Sequence, residues 1–392
     1  MRIALDELGF DRGAHILIAR ALEPLAAGEL IEVDGRDPNL VLHATTWCRT
    51  YGHAIDVNGA GQIRIHRGSA VDAAIAHAER VLPVAATDLR EHPPAVWGLA
   101  ARGALVEPGG PSPAFDLAHR DEVWADITPK LYAQACAAQW DPETAIDWSA
   151  PIHHDDDVED AVVQVMTYLI ENELTALVVP SRFLGRVHPY FREVVQLLAV
   201  QVADEARHVE VFTRRAGLRR SELGISGAGG RASLGTLIDE PDFALAIFLL
   251  SVLGEGTFLH LLSFLERHAP DRVTRDVAHL ALQDEARHVA FGQAHLEHRV
   301  AVDPGIRGEL RNAIVRRHDT LRNTAGLNDR VFDALVVLAA GAWEPAAIAS
   351  GYKLVSELQT DMDNGRRRRL TRLGFSPSDS AELAALHTRN FM

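Results

Sequence analysis

DEARHV occupies residues 204–209, and the same six residues return at 284–289, 80 positions later. On an α-helix, positions three apart lie on one face, so Glu205 and His208 present two ligating side chains together, as do Glu285 and His288. A single Glu-x-x-His on a helix is most often a solvated face. Two identical copies call for a common cause. One arrangement supplies it: a four-helix bundle in which two helices each give Glu-x-x-His and the other two each give one glutamate to a pair of metal ions.

The repeat then predicts where the lone glutamates lie. Ahead of the second copy, Glu255 is the only candidate in the core of the preceding helix, 30 residues before Glu285. Ahead of the first copy, Glu171 and Glu173 compete. Glu173 has Met166, Leu169, Ile170, Ala176 and Leu177 at three-, four- and seven-residue offsets, whereas Glu171 follows the more polar Gln164, Thr167 and Tyr168. Aligning NELT at 172–175 with GEGT at 254–257 also selects Glu173, 32 residues before Glu205, with Glu171 as the fallback. Four buried carboxylates are costly as bare anions, and two divalent cations cancel them. Oxygen-rich ligation with one imidazole per metal suits iron or manganese, while structural zinc favours thiolates. Asp204 and Asp284 are placed to accept hydrogen bonds from the imidazoles' second N–H groups, and Arg207 and Arg287 to hold those aspartates.

This pattern resembles the ferritin-like di-iron oxygenases, with their paired E…DExxH repeats, among them the arylamine N-oxygenases. The similarity covers about residues 121 to 300, and AQWDPETAIDWS, ending at Ser149, resembles a lead-in to such bundles. The arylamine N-oxygenases carry a further histidine ligand one turn before the second Glu-x-x-His, where this chain has Ala281. That departure speaks against N-oxygenation in particular.

The 392 residues suit two or three domains. A mainly α fold is expected: a ferritin-like four-helix bundle with extra helices over 117–392, its metal-binding core at 158–300. Helices are predicted over 121–139, 158–179, 188–217, 242–268 and 271–300, then near 305–323, 328–346 and 350–362, from apolar spacing and their Pro, Gly or acidic boundaries. Segment 218–236, containing RRSELGISGAGGRASLG, reads as a Gly/Ser-rich connection. Residues 69–116 read as a helical run from Val71 to Val81 followed by a linker. Residues 1–68 form a small two-layer α/β unit: a helix over Ile16–Leu25, a strand over Leu30–Val33, a helical stretch from Asp37-Pro38 through Cys48, and a strand over Ile63–His66.

Within that unit LDELGF, LEPLAAGEL and DPNLVLHATTWCRTYGHAI resemble the TusA-like sulfur-carrier family over roughly 60 residues. The family's Cys-Pro pair falls on Asp11 and Arg12. An aspartate cannot form a persulfide, because that chemistry needs a thiolate. The resemblance therefore implies the carrier's fold without its chemistry, as a docking or lid module.

A formal charge of -15 argues against a nucleic-acid surface, which requires a basic stripe. Cys48 and Cys136 are too few and too isolated for a disulfide framework, which fits a cytoplasmic protein. No signal peptide is visible at the N-terminus. The apolar run Phe243–Leu253 is too short to cross a bilayer, so no membrane partner is expected. The function expected is that of an O2-activating oxygenase or oxidase: two iron ions (or Mn/Fe), a small organic substrate, and electrons from an external reductase or ferredoxin. A homodimer is compatible with the sequence. Rival readings are an iron-handling ferroxidase and a metal-stapled adaptor in a sulfur-transfer pathway. Gly254 and Gly256 are expected to leave space over the metals. Tyr168 reads as a packed tyrosine, Asp155 to Asp157 as a helix cap after His153-His154, and Arg366 to Arg369 as a solvated or salt-bridged face.

Overall fold

A computed structural model describes every residue except 60, 71, 73–75, 83–87, 323–328 and 387–392. The chain packs as two compact units, Met1–Val84 with Leu99–Ser112, and Ala85–Gly98 with Pro113–Met392. The stretch 69–116 is thus divided between them.

In the first unit, β1 (Arg2–Asp6), α1 (Ala14–Leu22), β2 (Leu30–Gly35), α2 (Leu40–Tyr51), β3 (Ala54–Gly59) and β4 (Gln62–His66) build a sheet of order β1-β2-β4-β3. β1 runs parallel to β2, and the other neighbours are antiparallel. Alternation fixes the register: Ile31, Val33, Ile63 and Ile65 are buried under the helices, while Arg64 reaches across to Glu32 on the open face. β1 and β3 went unassigned in the sequence, because β3 (AIDVNG) is almost wholly exposed and lacks an apolar stripe. A two-residue strand β5 (Glu79–Arg80) pairs with β6 (Leu105–Val106), which corrects the end of the helix expected at Val71–Val81. Residues 71 and 73–75 of that run lie outside the described residues.

The second unit is helical: α3 (Thr128–Ala137), α4 (Asp156–Leu184), α5 (Arg192–Ala216), α6 (Ala228–Ile238), α7 (Phe243–His268), α8 (Arg272–Val302), α9 (Ile306–Leu321), α10 (Asp329–Ala340), α11 (Pro345–Arg372) and α12 (Pro377–Ala385). α4 packs along α5, α7 along α8, and α5 meets α8, giving the expected ferritin-like four-helix bundle, with α3, α10 and α11 on its outside. The starts carry their signals. Asp155 precedes α4, whose first turn holds Asp156, Asp157 and Glu159, and the side chains of Asp242 and Asp271 accept from Leu245 and Thr274 at the heads of α7 and α8.

Several boundaries differ from expectation. The helix expected over 121–139 is broken: Trp124 is extended after the turn Arg120–Val123, and α3 restarts at Thr128 with Pro129 in its first turn. The supposed Gly/Ser connection contains α6. Its glycines permit a close fit, since Gly229, Gly230, Ser233, Leu234 and Leu237 are buried, and Arg317 of α9 donates to Ser233 and Thr236. Tertiary packing outweighs poor helix propensity there. Within α7, Phe248–Glu255 is wound as a π-helix. The run at 243–253 also belongs to a longer helix: Asp156–Leu184 and Phe243–His268 are each long and apolar enough to cross a bilayer. In both, 72% and 89% of the most apolar stretch is buried inside the bundle. Core packing accounts for that apolarity.

One end of the bundle is fastened by charge. Arg215 of α5 donates to both oxygens of Glu159 on α4 at 2.8 and 3.0 Å, to Asp271 at the head of α8 at 2.8 Å, and to Thr274 at 2.6 Å. Burial pushes both carboxyls up, but the guanidinium outweighs it and holds Glu159 and Asp271 below the ordinary carboxylate range. Arg215→Met is predicted to lower unfolding free energy at neutral pH by about 3–5 kcal/mol, because it strands two buried carboxylates. In the wild type this stabilisation is full above the ordinary carboxylate range and fades as pH falls through the depressed values. In the variant the unpaired carboxyls titrate high, so the deficit should shrink on acidification. Denaturant unfolding across pH checks this, and a pH-independent loss contradicts it.

Candidate dimetal centre

Glu173 stands at the middle of α4, Glu205 and His208 one turn apart on α5, Glu255 at the end of the π-helical segment of α7, and Glu285 and His288 on α8. None of the six is more than 4% exposed. Their ligating atoms fall into two groups: Glu173, Glu205, Glu285 and His208, and Glu205, Glu255, Glu285 and His288. Within each group they lie within 4.8 Å of one another. Glu205 and Glu285 are common to both. The geometry is that of two adjoining ion sites, each with one imidazole and one carboxylate of its own, joined by two shared carboxylates.

The inward atoms are close without being hydrogen-bonded to completion. His208 Nδ1 lies 3.2 Å from Glu205, 3.5 Å from Glu285 and 3.7 Å from Glu173. His288 Nδ1 lies 3.1 Å from Glu205 and 3.6 Å from Glu285. Among the described residues, Glu173 Oε1, Glu205 Oε1, Glu255 Oε2, both oxygens of Glu285 and His288 Nδ1 have no hydrogen-bond partner. Buried polar atoms are rarely left so. That so many orphans face one point fits a site built for cations.

The outward nitrogens are tied in a crossed pattern. His208 Nε2 meets Asp284 at 3.2 Å, and His288 Nε2 meets Asp204 at 3.3 Å, so each aspartate serves the imidazole of the other helix. This fixes both rings with Nδ1 toward the centre and laces α5 to α8. Arg207 donates to both aspartates, and Arg287 hydrogen-bonds Asp284 and lies 3.7 Å from Asp204. Three further residues emerge. Trp140 Nε1 donates to Asp284 at 2.8 Å beneath the Arg207 guanidinium, which sits 4.6 Å from its ring centre, and Gln139 donates to Asp204 at 3.1 Å. Gln201 donates to Glu255 Oε1 at 3.1 Å. Gln201 was legible in principle, because it stands four residues before Glu205 on the same face. Trp140 and Gln139 follow α3 and carry no periodic signal.

The electrostatics match. Burial first, and then the carboxylates of Glu205 and Glu285, raise Glu173 and Glu255 well above the ordinary range. Burial also opposes charge on the imidazoles, but the carboxylates around them prevail and raise His208 and His288. For Glu205, burial pushes up and the two imidazoles pull it lower still. Protons and metal ions compete for these atoms.

Other expectations resolve individually. Glu171 is half-buried and outside both groups. Tyr168 is buried against Phe258, with ring centres 6.0 Å apart, and burial raises its phenol well above the usual value. His154 contacts Glu159 at 2.7 Å in the Arg215 network. Gly256 does not open space over the centre: a Cβ there would strike the Arg369 side chain. The close approach that a glycine does permit is at Gly292 of α8, where a Cβ would strike Ser251 of the π-helical segment.

No family model and no curated protein matches the chain. Solved structures with a similar backbone include an R2-like ligand-binding oxidase variant with an aerobically reconstituted Mn/Fe cofactor, at 16% identity and TM-score 0.47, covering 66% of this chain and 94% of that one. The R2-like ligand-binding oxidase from Sulfolobus acidocaldarius is 15% identical, with TM-score 0.43, covering 65% and 94%. Another R2-like ligand-binding oxidase variant, with an aerobically reconstituted Fe/Fe cofactor, is 15% identical, with TM-score 0.42, covering 64% and 92%.

Four variants test the site. Glu205→Ala or Glu285→Ala, each removing a shared carboxylate, should abolish retention of both metals after iron loading and desalting, whereas Glu173→Ala should leave the ion held by Glu255 and His288. Metal analysis reads this, and unchanged content in Glu205→Ala contradicts it. Asp284→Asn should weaken metal retention about 10–100-fold by loosening His208, as measured by competition with a chelator.

Proposed function

We propose that the helical unit is an O2-activating oxidase or oxygenase that carries two iron ions, or one manganese and one iron, and oxidises a small organic substrate with electrons from an external donor. The observation that carries this reading is the pair of four-residue ligand groups sharing Glu205 and Glu285 in a buried centre. The donor set is carboxylate and imidazole with no thiolate, which suits redox-active iron or manganese better than structural zinc. Such a metal pair, when bound, supplies electrons to O2 and activates it.

The chain's own residues set the conditions. Glu173 with His208, and Glu255 with His288, would each terminate one ion, and Glu205 and Glu285 would bridge. Asp284 and Asp204 hold the two imidazoles in one orientation, so that geometry is fixed before metal arrives. Gln201 restrains Glu255 by one oxygen and leaves the other without a partner. Burial of all six ligands excludes bulk water from the centre.

For residues 1–68 we propose a TusA-like docking module that carries no sulfur. Asp11 and Arg12 stand in a short 3-10 turn where a carrier needs Cys-Pro, and Cys48 is buried, with its thiol pushed up to about 11 by that burial. None of these three residues offers a thiolate nucleophile.

The experiment is to load the protein with iron(II) without air, mix it with O2, and follow O2 consumption together with visible absorption. The reading predicts O2 uptake in proportion to bound iron, with a transient visible band absent from Glu205→Ala. Bound iron that stays iron(II) in air would contradict it.

A further inference from the structure

α7 changes its winding where it presents Glu255. Phe248–Glu255 is π-helical, and the regular helix resumes at Gly256. The Gly256 N–H reaches the Ser251 carbonyl, five residues back, as π winding requires. Counting on, a regular bond from the Thr257 N–H falls four residues back, on Leu253. The carbonyl of Val252 is passed over. Val252 is fully buried, and a buried carbonyl without a donor is costly.

A donor comes from outside the helix. Arg369 of α11 donates from Nε to the Val252 carbonyl at 2.6 Å. Gly256 admits it, since a Cβ there would strike the Arg369 side chain. Gln293 donates to the Arg369 backbone carbonyl at 3.4 Å, which ties this turn of α11 to α8, the helix that carries Glu285 and His288. Among the described residues no carboxylate oxygen lies within 4.0 Å of the Arg369 guanidinium. An ion pair therefore does not account for its inward course; the stranded carbonyl does. Without that donor, α7 would satisfy Val252 by returning to regular winding. The part of α7 before the junction would then turn by about 100° against the part after it. Glu255 stands at that junction and would leave the group it forms with Glu205, Glu285 and His288.

We propose that Arg369 is a positioning residue for Glu255: by capping the Val252 carbonyl it holds the π winding that delivers the Glu255 carboxylate to its ion. The proposal rests on Glu255 being a metal ligand and not on the oxidation proposed above.

Iron loading, desalting and metal analysis test it in variants matched at the donor atom. Glutamine places an amide N–H as far along the side chain as the arginine Nε, and methionine places a methyl group there. Arg369→Met should weaken retention of the ion of Glu255 and His288 about 10–100-fold against a chelator, while Arg369→Gln keeps it. Glu173→Ala should hold that ion alone, so adding Arg369→Met to it should leave none. Gly256→Ala, whose Cβ displaces the guanidinium, should behave as Arg369→Met does and serves should that variant not fold. Two ions held by folded Arg369→Met or Gly256→Ala as tightly as by the wild type, or equal losses in Arg369→Met and Arg369→Gln, would overturn the proposal and leave the dimetal centre standing. A wild type that holds no metal would overturn both.

Discussion

Four carboxylates and two imidazoles face one another in the interior of the helical unit, and several of their polar atoms have no partner among the described residues. Glu173, Glu205, Glu255 and Glu285 come from four different helices, so the requirement for positive charge at their meeting point acts on the whole bundle. Aspartates and arginines outside that point are arranged in answer to it. The crossed pairs His208–Asp284 and His288–Asp204 make each half of the repeat depend on the other. A change at Asp284 is therefore felt first by an imidazole on the opposite helix.

The π-helical segment Phe248–Glu255 is where sequence periodicity parts from structure. An uninterrupted apolar run with Glu255 at its end reads simply as a core helix. The altered winding accompanies a close approach to α8 at Gly292 and a hydrogen bond from Arg369 of α11 to the Val252 carbonyl. π-helical turns recur at functional sites because they redirect side chains that a regular helix would place elsewhere. Here the redirected residue is a member of the ligand group.

The dimetal centre was legible because helical spacing is local and the motif is repeated. Glu173 was separable from Glu171 by the apolar companions on its face, and Glu173 is the more buried of the two. What the sequence hid is non-local. Trp140 and Gln139 reach Asp284 and Asp204 from the turn after α3; the lead-in AQWDPETAIDWS contains both, but no helical spacing assigns either one a partner. The crossing of the aspartates depends on how α5 and α8 face each other, which spacing along one helix does not determine. α6 was missed because its glycines argue against a helix until packing is known. Arg366 and Arg369 looked like surface charge because a run of four arginines usually is. In the first unit, paired strands with weak alternation, such as β3, became visible only through their partner β4.

Anomalous X-ray scattering at the iron edge, from crystals of the iron-loaded protein, tests the central claim most directly. Two peaks are predicted between α5 and α8, both within bonding distance of Glu205 and Glu285, one also of Glu173 and His208, the other of Glu255 and His288. Absence of density there, or one ion bound elsewhere on the chain with these six side chains left facing each other, would contradict the account.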